Sequence, residues 1–150
     1  MAETFFSPTR RVKFSSGATE ALYRGWVALG RDLAQTAAEI EVVDWLNERL
    51  INGGDGSRAF DVTTPALATP QKLRFLAKLA QKSRSILSQP DHYFQFRGEW
   101  CDLATGELHF GLFEGVLWDD DRHARWCTVL AELEEMLTEA GNSLANKMTG

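Results

Sequence analysis

Residues 92–97 (His-Tyr-Phe-Gln-Phe-Arg) and 108–113 (Leu-His-Phe-Gly-Leu-Phe) decide the fold that the sequence predicts. In the first run Phe94 and Phe96 lie on one face of a strand, because successive strand side chains alternate between faces. Alternate apolar residues of the second run do the same, and the connecting residues include a glycine, which favours a turn. We therefore predict an aromatic antiparallel β-hairpin within residues 90–118, whose aromatic face packs on helices or further strands.

Helical periodicity dominates the chain before this hairpin. Apolar residues recur at steps of three and four and predict one long helix, or two helices with a break near Gln35 and Thr36. Asn52-Gly53-Gly54 favours a helix end. The stripe consists of Leu22, Trp26, Leu29, Leu33, Ala37, Ile40, Val43, Leu46 and Leu50.

Two further helices are predicted from their ends. Thr69 and Pro70 form a helix start, because threonine caps the first N–H groups and proline has none to lose. The last helix begins after the acidic triplet at residues 119–121, and Gly141 favours its end. The segments at residues 9–14 (a strand or an arm) and 59–63 (a short strand) are weaker signals.

The predicted fold is thus α+β. It consists of an N-terminal helix or helix pair, a middle helix, an antiparallel β-hairpin forming a small sheet, and an acidic C-terminal helix. At 150 residues, with 44% hydrophobic and 25% charged residues, the chain fits one globular domain. We predict a single domain over 1–150 with flexible ends at 1–8 and 142–150.

The charge is distributed unevenly along the chain. Residues 1–90 carry 12 basic and 9 acidic side chains, whereas residues 91–150 carry 4 and 12, which gives the net charge of −5. An acidic half repels nucleic acid and attracts a basic protein surface. The basic helix predicted after Pro70 suits a membrane surface or an RNA backbone, but a solvated face that complements the acidic half of the same fold is favoured. We predict a protein partner, and neither nucleic acid nor membrane.

Residue types that carry chemistry are sparse. His92, His109 and His123 lack metal-ligand spacing, and Cys101 and Cys127 fit small buried side chains, although one disulfide between them remains open. We predict no enzyme and no cofactor or metal. The alternative is a small enzyme or ligand-binding domain that combines a histidine with nearby carboxylates; another is an adaptor subunit held by the N-terminal helix stripe. The start of the sequence lacks the pattern of a secretory signal, so we expect a cytoplasmic protein.

In size, acidity and lack of catalytic residues the chain resembles the small bacterial immunity proteins that neutralise a cognate toxin. The resemblance covers the chain in outline and rests on no motif, so no residue is carried over from that family; phage-encoded inhibitors of host defence share the profile. It implies a stoichiometric inhibitor that occludes the basic active surface of its partner. We expect contact residues around the hairpin ends and the start of the last helix: Glu99, Trp100, Asp102, Glu114, Trp118, Asp119, Asp120 and Asp121.

Overall fold

The computed structural model describes residues 2–53, 58–87 and 120–149. Within these ranges the chain forms, in order, β1 (Ala2–Phe6), β2 (Arg11–Ser15), α1 (Ser16–Leu33), α2 (Ala37–Asn52), α3 (Pro70–Leu87) and α4 (Asp120–Thr149). This combination of helices with an antiparallel sheet confirms the α+β class. The aromatic hairpin predicted within residues 90–118 lies outside the described residues.

The small sheet is an N-terminal hairpin. β1 and β2 pair antiparallel, from Ala2 opposite Ser15 to Phe6 opposite Arg11. The Ser7 hydroxyl stabilises the turn by accepting from the backbone N–H of Arg10 at 2.9 Å. The structure therefore differs from the flexible end predicted for residues 1–8, and it selects the strand alternative for the segment at 9–14.

Burial explains why this N-terminal segment is ordered into strands. Phe5, Val12 and Phe14 are buried, whereas their strand neighbours are more exposed. The Phe5 ring packs edge-on against Phe60 at 4.8 Å between ring centres, and Phe14 packs the same way against Trp126 at 4.9 Å. Residues far away in the chain thus supply the apolar surface that the hairpin covers, a contact that local sequence does not reveal.

The predicted helix break separates α1 from α2. Ala34 is extended, and Thr36 caps α2 by accepting from the backbone N–H of Glu39 at 3.2 Å. The Glu39 carboxylate accepts in return from the backbone N–H of Thr36 at 3.2 Å, which completes a capping box. The helix pair, rather than one long helix, is therefore correct.

α1 lies in the core, and α3 and α4 pack against each other. Trp26 of α1 is fully buried, and its indole N–H donates to the Ser83 hydroxyl of α3 at 3.0 Å. Buried side chains of α3 and α4 then complete the core: Leu73, Phe75, Leu76, Leu79, Ala80, Leu87, Trp126, Val129, Leu130, Leu133, Met136 and Leu137.

The sequence predicted the start of α3 correctly but not the end of α4. The predicted start at Thr69 and Pro70 is confirmed, since the Thr69 hydroxyl accepts from the backbone N–H of Lys72 at 3.2 Å. The predicted end at Gly141 is wrong, because α4 continues to Thr149 and residues 142–149 are helical rather than a frayed tail. Gly141 is buried where α4 meets the start of α3, and a Cβ atom there would make only ordinary contacts with Leu73, Arg74 and Pro70.

The segment at residues 59–63 is not a full strand. A single parallel bridge joins Phe6 to Asp61, with hydrogen bonds from Phe6 N–H to Phe60 C=O (3.0 Å) and from Val62 N–H to Phe6 C=O (2.9 Å). These two bonds attach the connection between α2 and α3 to the edge of β1.

Candidate protein-binding surface

Most residues of the contact surface predicted from sequence fall outside the part of the chain that the structure describes. These are Glu99, Trp100, Asp102, Glu114, Trp118 and Asp119. Asp120 is the first residue of α4, and Asp121 follows it as an exposed side chain. The structure thus places the start of α4 at the acidic triplet.

The acidic residues of the later part of α4 are paired within the fold. The Arg10 guanidinium donates from Nε to Glu139 Oε2 at 2.9 Å and from Nη2 to Glu139 Oε1 at 2.8 Å, and it also contacts Glu135 at 3.2 Å. This pairing holds the pKa of Glu139 below its ordinary value and raises that of Arg10. Part of the acidic helix is therefore neutralised by the basic N-terminal half.

The basic helix α3 contributes to the same neutralisation. Arg84 forms an ion pair with Glu134 of α4, and the two side chains are partly buried between the helices. At the other end of α3, Lys72 Nζ lies 2.9 Å from Glu41 of α2 and donates to the C=O of Ala66 at 3.0 Å. These contacts agree with a basic helix face that complements acidic residues of its own fold.

α2 presents an outer face that combines acidic and large apolar side chains. Ile40 is 51% exposed and Ile51 is 69% exposed. The two residues are eleven positions apart, about three helical turns, so they lie on the same face roughly 16 Å from each other. Asp44 and Glu48 are also exposed and fall between them at helical spacing. We call these four residues, Ile40, Asp44, Glu48 and Ile51, the α2 face.

The side of α2 opposite the α2 face packs against the core. The apolar side chains on that side are buried in the core: Val42, Val43, Leu46 and Leu50. The stripe predicted from sequence assigned Ala37 and Ile40 to the buried side, and this assignment is wrong. Because the residues between α1 and α2 leave the helical path, the periodicity of α1 does not continue in phase into α2.

The charges of the α2 face differ from those of α4. No ion pair joins Asp44 or Glu48 to another side chain within residues 2–53, 58–87 and 120–149. Among the described side chains they thus lack the ion pairs that Glu134 and Glu139 form. An acidic surface with two exposed isoleucines can bind a basic protein surface that carries an apolar patch, because charge guides encounter and buried apolar groups supply affinity.

A buried polar cluster under β1 serves the fold. One Glu3 oxygen accepts from the backbone N–H groups of Arg58 (2.6 Å) and Ala59 (2.9 Å), and the Tyr23 hydroxyl donates to the C=O of Arg58. Arg58 is itself 3.1 Å from Glu20. Burial raises the pKa of Tyr23 far above its ordinary value, so its hydroxyl stays a donor. These bonds satisfy buried backbone groups where the chain leaves the loop after α2.

The histidine and cysteine signals gain no support as a chemical site. His92, His109 and Cys101 lie outside the described residues, and His123 lies in the first turns of α4. Cys127 is half-buried, and burial raises the pKa of its thiol, which disfavours the reactive thiolate. Among the described residues no group of three or more His, Cys, Asp or Glu side chains is placed to hold a metal ion.

Comparison with known proteins gave no relative: no protein-family model matches the chain, and neither the curated proteins nor the solved structures searched contain a match. In the described part of the chain, every helix is too short or too polar to cross a membrane.

Proposed function

We propose that this protein is a cytoplasmic, bacterial immunity-type inhibitor that binds a cognate toxin or effector stoichiometrically and covers its basic active surface. The observation that carries the proposal is the α2 face, where Asp44 and Glu48 lie between the exposed Ile40 and Ile51. Protein interfaces combine a desolvated apolar centre with charged residues that set orientation and association rate. The α2 face places exposed apolar side chains and carboxylates within three helical turns of each other.

The net charge of the whole chain supports the same kind of partner. Glu134, Glu135 and Glu139 of α4 pair with Arg10 or Arg84, whereas Asp44 and Glu48 form no ion pair with another described side chain. A basic active site or substrate cleft is attracted to such a surface, and the attraction accelerates association most at low ionic strength.

The first experiment identifies the partner and tests the face together. Tagged wild-type protein and the Ile40→Ser/Ile51→Ser variant are used for parallel capture from native lysate. A matched control is Met148→Ser, which removes an exposed apolar side chain from α4. We expect one partner that the wild type and the Met148 variant retain and the isoleucine variant loses, with an affinity reduced about tenfold or more per isoleucine.

The second experiment measures inhibition and association rate with the purified partner. We expect its activity to fall to zero at one equivalent of inhibitor. Asp44→Lys should slow association several-fold at low salt and little at high salt, whereas Glu132→Lys, the same charge change on α4, should have a smaller effect. A partner bound equally well by the isoleucine variant, or one whose activity is unaffected, would contradict the proposal.

The surface predicted around the acidic triplet is tested in the same assay. Reversal of Asp119, Asp120 and Asp121 to lysine should slow association in a salt-dependent way if this end of α4 also contacts the partner. An unchanged association rate would confine the contact to the α2 face.

A further inference from the structure

A cleft of about 470 Å³ lies between the N-terminal hairpin and the end of α4, and no residue of the α2 face lines it. Its floor is apolar and includes the buried Val62 and Leu73, with Leu144 on one wall. Its rim carries the hydroxyl groups of Thr9 and Ser143. A concave, mainly apolar volume of this size with a few polar groups is typical of a small-molecule site.

Two charged side chains line the cleft, and only one of them is already engaged in an ion pair. Both carboxylate oxygens of Glu139 accept from the guanidinium of Arg10, which occupies them and attaches the hairpin turn to α4. Lys147 lies in the last turns of α4 and forms no ion pair within the described residues. Lys147 is therefore the charged side chain of the lining that has no ionic partner among the described residues.

The polar rim adds hydrogen-bonding capacity beside the cation. Thr63 also lines the cleft, and its hydroxyl donates to Asp61 at 2.7 Å, so its oxygen remains an acceptor. The hydroxyls of Thr9 and Ser143 make no hydrogen bond with another described residue and can donate. An ammonium ligand would be repelled by Lys147 and would find both oxygens of Glu139 already bonded to Arg10, whereas a carboxylate ligand would meet a cation and two donors.

We propose that this cleft binds a small amphiphile with one carboxylate and an unbranched apolar chain. The chain lies over Val62, Leu73 and Leu144, and the carboxylate lies beside Lys147 and the rim hydroxyls. This site goes beyond the inhibitor function, and it involves none of the four residues of the α2 face.

Titration with hexanoate, octanoate and decanoate, below their micelle concentrations, tests the proposal by calorimetry and by amide chemical shifts. We expect saturable binding, with affinity rising about fourfold per added CH₂ until the cleft is filled. Amide shifts should concentrate at Thr63, Ala140 and Leu144. Octanol and octylamine of the same length should bind at least several-fold more weakly, because they lack the anionic group.

Matched variants locate the binding. Ser143→Trp should block the cleft and abolish octanoate binding, whereas Asn142→Trp, at the exposed neighbouring position outside the cleft, should leave it intact. Lys147→Gln should weaken octanoate binding several-fold and remove its advantage over octanol, with Lys82→Gln as the control. Thermal melts confirm that each variant is folded.

Three results would overturn the site. These are the absence of saturable shifts for every carboxylate, equal affinity for octanoate and octanol in the wild type, and unchanged octanoate binding by Ser143→Trp. All three are measured without a protein partner, so failure here leaves the inhibitor proposal standing, and failure of partner binding leaves this site standing.

Discussion

Gly30 permits the close approach of α1 to α2. A Cβ atom at this position would lie 2.7 Å from Cγ2 of Val43, well inside contact distance. Valine is restricted to one main rotamer in a helix, so it cannot easily turn away. We expect Gly30→Ala to lower the free energy of unfolding by about 1–3 kcal/mol, measured by urea denaturation, although alanine favours helix.

Gly17 provides the matched control for this substitution. It lies in the first turn of α1, and a Cβ atom there would meet nothing within 4 Å. Gly17→Ala is expected to raise the free energy of unfolding by up to about 1 kcal/mol. Stabilisation by both alanines would show that the contact between Gly30 and Val43 relaxes without cost.

The pairing of Arg10 with Glu139 makes stability depend on pH. Because the pKa of Glu139 is lowered in the folded state, its contribution is present above the unfolded glutamate pKa of about 4.3 and is lost as the pH falls through the lowered value. Arg10→Gln should return the Glu139 pKa towards its ordinary value and flatten the acid limb of the stability profile.

Carboxyl NMR titration and urea denaturation between about pH 6 and pH 2 measure both effects, a range that brackets the ordinary glutamate pKa. Arg11→Gln is the control, because Arg11 lies over the Phe6 ring, 5.4 Å from its centre, rather than on Glu139. An unchanged Glu139 titration in the Arg10 variant would show that another group lowers this pKa.

At the scale of elements, Gly141 lies inside α4, at the point where this helix crosses the start of α3. A Cβ atom there would meet Leu73 Cβ at 3.5 Å and the C=O oxygen of Pro70 at 3.6 Å, which are ordinary contact distances. Gly141→Ala should therefore stabilise the fold by about 0.5–1 kcal/mol through helix propensity. Gly141→Leu should destabilise it by about 1–3 kcal/mol through overpacking.

Urea denaturation of the two Gly141 variants tests this ordering, with the exposed Asn142→Leu as the control for a bulkier side chain on α4. A stabilising alanine and a destabilising leucine would show that Gly141 lies within a continuous helix and does not terminate it. If Gly141 ended the helix in a left-handed conformation, alanine would destabilise as well.

Helix ends show which boundaries can be predicted from local sequence signals. Thr69 and Pro70 were sufficient to locate the start of α3, because a cap and a proline act through bonds within one turn. The Thr36-x-x-Glu39 pattern of the capping box was also present in the sequence, and it would have fixed the start of α2. The continuation of α4 beyond Gly141 was not contained in such local signals, because glycine weakens a helix locally and most helical stability comes from packing against neighbours such as α3.

At the scale of the whole molecule, the N-terminal hairpin joins parts of the chain that are far apart in sequence. Phe5 is fully buried on Phe60, whereas its neighbour Phe6 is 38% exposed. We expect Phe5→Ala to lower the free energy of unfolding by about 3–5 kcal/mol. Phe6→Ala should cost about 1 kcal/mol or less, since its ring keeps much of its contact with water.

Chemical denaturation of the two phenylalanine variants compares adjacent residues of one strand. Similar losses for both would mean that β1 does not cover the core with alternate side chains. The comparison therefore tests the register of the hairpin as well as its role in stability.

Some of the basic residues in the first part of the sequence pair with acidic residues in the last part. Arg10 contacts carboxylates about 125 residues further along the chain, and Arg84 contacts one 50 residues away. These pairs use acidic residues of α4, and they leave Asp44 and Glu48 of α2 unpaired by any other described side chain. The candidate binding surface was therefore missed, because net charge along the sequence carries no information on which charges pair.

The sequence by itself determined the α+β class, the helical character of the N-terminal and middle segments, the start of α3 and the buried residues of α1. These features follow from periodicity and capping, which act over a few residues. Only the tertiary structure decided the N-terminal strands, the exposure of Ile40, the continuation of α4 through Gly141 and the cleft beside Lys147. Each of these depends on which distant surface packs against a segment, and burial and charge pairing between distant segments exist only in the folded chain.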